Sequence, residues 1–332
     1  MSFASNTSRK TSILEPFVHA QPRMLAELGK ESEIVAFRHD GLFARLFCFL
    51  NAIRVARYLE KEVSFLWLDS VPSKPAPHNY DSDWRAILKD RRIGNLPNSK
   101  FDLNPRQGNY RNSRPLILPG ETYVEALNDL GKLARGLVLA DGQTIADAIA
   151  GQRYELGIHA RQGDSAHLSY LVFKYFPKSG WLKIISEFIE NMSGKTIFLA
   201  SDSKELLAQA KEIGGKAVLV PEEVIPSGSG KLVSDFHECL YLSRANRLIG
   251  PRYSAFSKFA EILSGVPVET PEEYLGISEI LYETLGVAAR SYVQDVEIAL
   301  AIDSEDNNSE EVMRKLQHRI DRAKQIASAN PI

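Results

Sequence analysis

An α/β protein built from two Rossmann-like domains with parallel sheets is predicted from three observations. Strand-like and helix-like segments alternate through the second half, a strand–helix–strand unit opens the first half, and 332 residues exceed what one hydrophobic core usually serves. Apolar residues at 44% and charged residues at 25% supply two ordinary cores and exclude a disordered or fibrous chain. With 40 basic against 42 acidic residues the formal net charge is -2, so no overall positive field exists to hold nucleic acid. Any anion site must be local.

Residues 1–30 mix Ser, Asn, Lys and Pro without periodicity and read as a flexible leader. Ile34-Val35-Ala36-Phe37 then reads as a buried strand, His39-Asp40-Gly41 as a turn, Leu42 to Lys61 as a long amphipathic helix, and Val63 to Leu68 as a second strand. Such a βαβ unit implies a parallel sheet with its ligand beyond the carboxyl ends of the strands. Between Val71 and Pro119 the density of Pro, Asn and Arg predicts long loops and short elements. Leu137 to Ala140 reads as a further strand, and the Asp141-Gly142 turn with Thr144 to Ala150 bridges the domains, expected at 31–148 and 149–290.

The second half alternates regularly. Strands are expected at Leu156–Ala160, Thr196–Ala200, Ala217–Val220 and Arg247–Gly250, with helices at Trp181–Met192, Lys204–Ile213, Asp235–Arg244 and Phe256–Ser264. Beyond Pro271 the chain looks helical, and Ser309 to Ala327 spaces Val312, Leu316, Ile320, Ala323 and Ile326 on one face, so 291–332 is expected to form helices packing on the body. Cys48 and Cys239 each sit inside an apolar, helix-like segment, which argues against disulfides and zinc and fits a reducing cytoplasm. No apolar run is long enough for a signal peptide or a membrane span, which leaves room only for peripheral membrane contact.

Chemistry concentrates in Gly157-Ile158-His159-Ala160-Arg161-Gln162-Gly163-Asp164. Strand alternation puts Leu156, Ile158 and Ala160 on one face and Gly157, His159 and Arg161 on the other, with Arg161 where the strand enters its loop. A guanidinium there offers a permanently charged fork for a diphosphate, Gly163 lets backbone approach, and Asp164 can hold the arginine. The alternative is a structural Arg161–Asp164 pair beside a satisfied core histidine. A second segment, Arg247 to Ser257, ends a strand and starts a helix near Phe256, where Ser254, Ala255, Phe256 and Ser257 could cradle phosphate or Ser254 could simply cap the helix.

Other residues read more evenly. Asp202, with Glu205 three residues on, makes a capping-box-like helix start, with a ribose or base contact as its rival. Asp235, His237 and Glu238 are placed at a helix start, where a nucleotide contact and a surface role weigh equally. His39 and Asp40 invite a general-base reading, although adjacent turn residues usually point apart. Trp84 to Arg114 interleaves Arg106, Arg111 and Arg114 with Trp84, Phe101 and Tyr110, suiting sugar rings or anionic acceptors unless it is a solvated loop. Ser227-Gly228-Ser229-Gly230-Lys231-Leu232 lacks the spacing of a phosphate loop and reads as a flexible loop; no dinucleotide fingerprint or metal motif occurs.

These residues carry a resemblance. The segment Gly157 to Asp164 resembles the H-x-R-x-G-D motif of the fucosyltransferase superfamily that includes α1,2-, α1,6- and protein O-fucosyltransferases. Ile197 to Asp202 resembles that group's strand ending in (A/S)-(S/T)-D. Asp235 to Gly250 followed by Ser254-Ala255-Phe256-Ser257 resembles its D-x-x-x-L-S-x-(A/C)-(D/K) and S-x-F-S pattern. Order and spacing match over about residues 155–265. The first domain departs from the group's G-x-G-N turn, with Gly41-Leu42-Phe43-Ala44-Arg45 in its place, and Arg161-Gln162 stands where some members double the arginine.

The resemblance implies a GT-B fold of two facing Rossmann-like domains and an inverting glycosyltransferase that needs no metal or cofactor. Its donor would be a nucleotide sugar, usually GDP-fucose, and its acceptor a glycan or glycolipid. By the same resemblance Arg161 would bind the β-phosphate and stabilise departing GDP, with His159 beside the donor. Asp202 and Glu238 or Asp235 would be near the nucleoside and Ser254 to Ser257 would bind phosphate, while Gly41, Gly163 and Asp164 join the expected donor site by their own positions at strand ends. Trp84, Arg106, Arg111 and Arg114 are assigned to the acceptor, and His39 or Asp40 to the missing catalytic group. Two alternatives stay open: an enzyme of this fold using another nucleotide sugar, and a non-catalytic nucleotide-sugar or glycan-binding protein.

Overall fold

The computed structural model describes residues 18–38, 41–67, 84–95, 109–110, 114–161, 178–191, 194–225, 228–251 and 254–275. Two compact α/β units emerge, the first from residues up to Trp84 together with Asp90–Ala134, the second from Arg85–Lys89 together with residues from Arg135 onward. The sequence placed this change near residue 149. It falls earlier because Arg135 donates to the carbonyls of Ile262 and Leu263, both 3.1 Å away, and because Leu139 bridges to Leu88 while the Lys89 amide donates to Val138 at 2.8 Å. Leu137 to Ala140 thus makes isolated bridges, Leu88 with Leu139 and Val138 with Thr144, instead of the sheet strand expected there.

The first unit contains β1 (Val18–His19), α1 (Pro22–Leu28), β2 (Glu33–Arg38), α2 (Leu42–Leu59), β3 (Glu62–Trp67), β4 (Ile93–Asn95), β5 (Asn109–Tyr110), β6 (Leu116–Ile117) and α3 (Tyr123–Arg135). Its four-stranded sheet runs β4-β3-β2-β5, parallel throughout, and β2 pairs with β3 from Glu33↔Glu62 to Arg38↔Trp67. This is the βαβ unit read from the sequence. The leader is not loose over residues 18–30: β1 pairs with β6, and α1 buries Leu25 and Leu28. Its strand partner lies far along the chain, so local periodicity does not betray it.

Helix α2 is buried almost all round between Leu42 and Ala56, where an amphipathic helix was expected. Arg54 and Asn51 find hydrogen-bond partners inside. Arg54, 1% exposed, donates through Nε to Asp129 at 2.9 Å and through its terminal nitrogens to the Glu121 carboxylate and the Leu116 carbonyl. Asn51 donates to the Arg114 carbonyl at 2.7 Å and accepts from the Leu116 amide at 3.2 Å. The Arg45 guanidinium lies 4.9 Å from the centroid of Trp67. Buried charge is tolerated only when paired in this way.

The second unit contains α4 (Ile145–Ile149), β7 (Leu156–Ala160), α5 (Lys178–Asn191), β8 (Ile197–Ser201), α6 (Lys204–Gly214), β9 (Val218–Leu219), α7 (Pro221–Val224), α8 (Lys231–Leu242), β10 (Leu248–Ile249), α9 (Ala255–Ser264), β11 (Val268–Glu269) and α10 (Pro271–Leu275). All five strands are parallel in the order β11-β10-β7-β8-β9. The chain winds outward from β7 through β8 to β9, then returns to the other side of β7 as β10 and β11. That reversal makes a topological switch point between β7 and β10, the place where doubly wound sheets bind ligands beyond their carboxyl ends.

Leu156, Ile158 and Ala160 of β7 pack with Ile197 and Leu199 of β8 and with Trp181, Ile184, Phe188, Leu206 and Ala210 of α5 and α6. Gly157 faces the other way, towards α8. A Cβ there would lie 2.8 Å from that of Ala245 and 2.9 Å from Leu242, so only glycine admits α8 this close to the sheet. Both cysteines are free and buried, Cys48 in α2 and Cys239 in α8. Among the described residues no helix is long and apolar enough to cross a membrane. The helix expected at Ser309 to Ala327 lies outside the described residues.

Candidate functional site

The β7/β10 switch point collects the residues that the sequence singled out in separate segments. Arg161 follows the last residue of β7, and Asp202 follows the last residue of the neighbouring β8. Their ion pair spans 3.6 Å from Nε to Oδ2, on partly buried side chains. The Ser201 hydroxyl stitches the two strand ends together, donating to the Ala160 carbonyl at 2.6 Å and accepting the Ser203 amide at 3.1 Å. Both charged residues therefore leave the sheet from a fixed backbone. Asp202 is on the Nε side of the guanidinium, a group whose planar fork suits bidentate phosphate.

This placement corrects the expected cap. Ser203 is the N-cap of α6, accepting the Leu206 amide at 3.2 Å, and Asp202, one residue earlier, pairs with Arg161. Among the described residues Asp202, from the neighbouring strand, is one that pairs with Arg161. Asp164, expected in that role, lies outside the described residues, as do Gly163, His39, Asp40, Arg106 and Arg111.

On the other side of β7, Ser254 caps α9: its Oγ accepts the Ser257 amide at 3.4 Å. The first amides of α9 and its dipole therefore open at the same sheet edge as Arg161, an arrangement that favours an anion. His159, 6% exposed, lies between. Its Nδ1 is 2.7 Å from the Ser257 hydroxyl and its ring stacks on Phe256 with centroids 4.5 Å apart. Ser257 is 2% exposed, with its hydroxyl on the histidine. Sequence reasoning assigned no role to Gly250, where a Cβ would come within 2.6 Å of the Ser257 Oγ. The signal was available in its position, immediately after β10 and facing the histidine strand.

Helix α8 starts at Lys231, earlier than expected, because Lys231-Leu232 continues the apolar phase of Leu232, Phe236, Cys239 and Leu240 after the Gly230 cap. The last two residues of the supposed flexible loop are thus helical. Asp235 consequently sits one turn inside the helix and pairs with Lys231 at 3.0 Å. Burial, reinforced by the Asp235 charge, pushes the Glu238 carboxyl up to about 8, so at neutral pH it is chiefly a hydrogen-bond donor. Burial lowers His237, with the charge of Asp141 opposing the shift.

The chain has no match to a protein-family model, and no curated protein matches it. Among solved structures it is similar to NodZ α-1,6-fucosyltransferase soaked with GDP-fucose, at 15% identity and a TM-score of 0.43, over 72% of this chain and 94% of that one. It is similar to POFUT1 in complex with GDP-fucose, at 12% identity and a TM-score of 0.44, over 72% and 97%. It is also similar to a mutant FUT1 of Arabidopsis thaliana in complex with GDP, at 11% identity and a TM-score of 0.40, over 75% and 73%.

In the first unit the expected acceptor residues divide. Trp84 opens a short 3-10 turn and is buried, so its ring is core and not the sugar platform expected. Arg92, in the same basic stretch though not among the expected acceptor residues, is held by Asp90, Nε to Oδ1 at 2.9 Å, and lies over Phe49. Arg114 is exposed, and its carbonyl accepts from Asn51. Gly41 caps α2 with a φ of -54°, a conformation open to any residue.

Proposed function

We propose that this protein is a glycosyltransferase whose second unit binds a nucleotide sugar by its diphosphate. One observation carries the reading: Arg161, held by Asp202, and the Ser254-capped start of α9 share the carboxyl edge of one parallel sheet at its switch point. A guanidinium and helix-terminal amides converging there complement a diphosphate. The order of the three linked sequence motifs supports GDP-fucose as the donor, a GT-B arrangement of the two units, and inversion without a metal.

In the reaction, an acceptor hydroxyl attacks the anomeric carbon, the bond from that carbon to the diphosphate breaks, and GDP departs with the electron pair. Positive character grows on the sugar and negative charge on the leaving phosphate, which is where Arg161 and the α9 amides stabilise the transition state. The acceptor proton passes to a base, for which His39 and Asp40 are the candidates from the sequence. Asp202, Asp235 and Glu238 flank the nucleoside. The first unit takes the glycan or glycolipid acceptor, with Arg106, Arg111 and Arg114 as its basic groups.

Titrating GDP, UDP and CDP into the purified protein by calorimetry, with and without EDTA, tests the reading. GDP should bind and EDTA should leave its affinity unchanged. A preference for UDP, or strict dependence on magnesium or manganese, would overturn the donor assignment.

A further inference from the structure

We propose that Ser201 is a positioning residue for the diphosphate site: by bonding the ends of β7 and β8 to each other, its hydroxyl sets where Arg161 and Asp202 leave the sheet. The inference deepens the diphosphate reading and rests on it for the ligand that Arg161 meets. Ala160 and Ser201 are the last pair in the β7–β8 register. The Ser201 hydroxyl donates its one proton to the Ala160 carbonyl at 2.6 Å, and the same oxygen accepts the Ser203 amide at 3.1 Å. One side chain thus bonds to the residue before Arg161 and to the residue after Asp202.

Past that pair the two chains continue as Arg161 and Asp202, whose side chains meet at 3.6 Å. A partly exposed ion pair at such a distance contributes little by itself and does not fix two strand ends. The Ser201 bonds are shorter and fall on backbone. The Ala160 carbonyl shares a planar peptide with the Arg161 amide, so holding the carbonyl holds the plane from which Arg161 starts. The bond from Ser203 to Ser201 closes a local turn around Asp202, and Ser203 is itself anchored as the N-cap of α6. A bidentate contact depends on where the guanidinium stands, and a misplacement of about 1 Å is enough to forfeit much of it. Alanine at position 201 removes the hydroxyl and leaves both charges in the chain.

Arginine Nε–H NMR of the full chain reads the placement directly, with the Arg161 signal identified by its absence from Arg161→Lys. Ser201→Ala should shift or broaden that signal and weaken GDP binding about tenfold. Ser201→Thr, which keeps the hydroxyl, should restore both, and Ser201→Val, of the same shape without the hydroxyl, should not. Ser203→Ala, which removes the α6 cap and keeps both Ser201 bonds, should change neither. Circular dichroism separates these effects from unfolding. An Arg161 signal unchanged by Ser201→Ala, a GDP affinity that the substitution leaves intact, or the same losses in Ser203→Ala would overturn the proposal. An Arg161 signal disturbed by Ser201→Ala and restored by Ser201→Thr, in a protein without affinity for GDP, leaves the positioning intact and sinks the diphosphate reading instead.

Discussion

The two units share a winding order and spend their buried polar groups differently. In each, the first strand of the sheet is internal and the chain later returns to its other side, β5 beside β2 in the first unit and β10 beside β7 in the second. The first unit uses Arg54 and Asn51 of α2 to tie the helix to the segment around Leu116, Glu121 and Asp129. The second unit places its polar groups, Arg161, Asp202, His159 and Ser257, at the carboxyl end of the central strands. One topology thus serves a structural staple in one unit and a candidate anion site in the other, and burial alone does not tell them apart. What distinguishes them is position relative to the strand ends.

Substitutions on the two sides should therefore fail in different ways. Arg161→Ala should cost about 100-fold or more in transfer while the protein stays folded, and Arg161→Lys should fare little better because an ammonium cannot reproduce the fork. Enzyme assays beside thermal melts check this, and a folded Arg161→Ala protein with unchanged turnover would remove the core of the mechanism. Arg54→Ala should show the reverse pattern. It takes one donor from each of the Glu121 and Asp129 carboxylates and the Leu116 carbonyl, with Glu121 keeping the Leu118 amide, and denaturant unfolding should show a loss of about 3 kcal/mol.

A finer contrast lies between adjacent residues. Ser203→Ala should cost about 1 kcal/mol of stability through the lost cap and leave GDP affinity alone. Asp202→Asn should weaken GDP binding with little change in melting, because it releases Arg161 and not the helix. An exchange of these two outcomes would return Asp202 to the capping role.

The smallest expected effect is a pH dependence from Glu238. Its folded carboxyl keeps the proton up to about 8, while an unfolded one releases it near the ordinary 4.5. Folding therefore takes up a proton between those values, so this stabilising contribution is full at low pH and is lost as the pH rises through 8. Glu238→Gln should flatten that decline by on the order of 1 kcal/mol, since the partly solvated carboxyl keeps some of its water. Melting curves of both proteins from pH 5 to 9 that fall in parallel would contradict the assignment.

The legibility of these features in the sequence follows from how local their causes are. β7 was readable to the residue because it alternates Leu156, Ile158 and Ala160 towards one helix layer against Gly157 and His159 towards the other. The cap of α6 is ambiguous in the sequence by one position because Asp202 and Ser203 are both good caps, and the fold gives the role to Ser203. The burial of α2 and Trp84 was hidden because Arg45, Arg54 and the arginines around Trp84 look like a solvated face until their partners are known. β1 escaped notice since a two-residue strand has no period of its own and exists through β6. The Ser257–His159 bond joins residues far apart in the chain, and Gly250 discloses its role only once β10 lies beside β7.

The central claim is that the β7/β10 edge of the second unit holds a nucleotide diphosphate. A crystal structure of the protein grown with GDP tests it most directly. The β-phosphate should lie within hydrogen-bond reach of the Arg161 guanidinium and of the first amides of α9. GDP bound elsewhere on the chain, with Arg161 and the start of α9 untouched, would contradict the account.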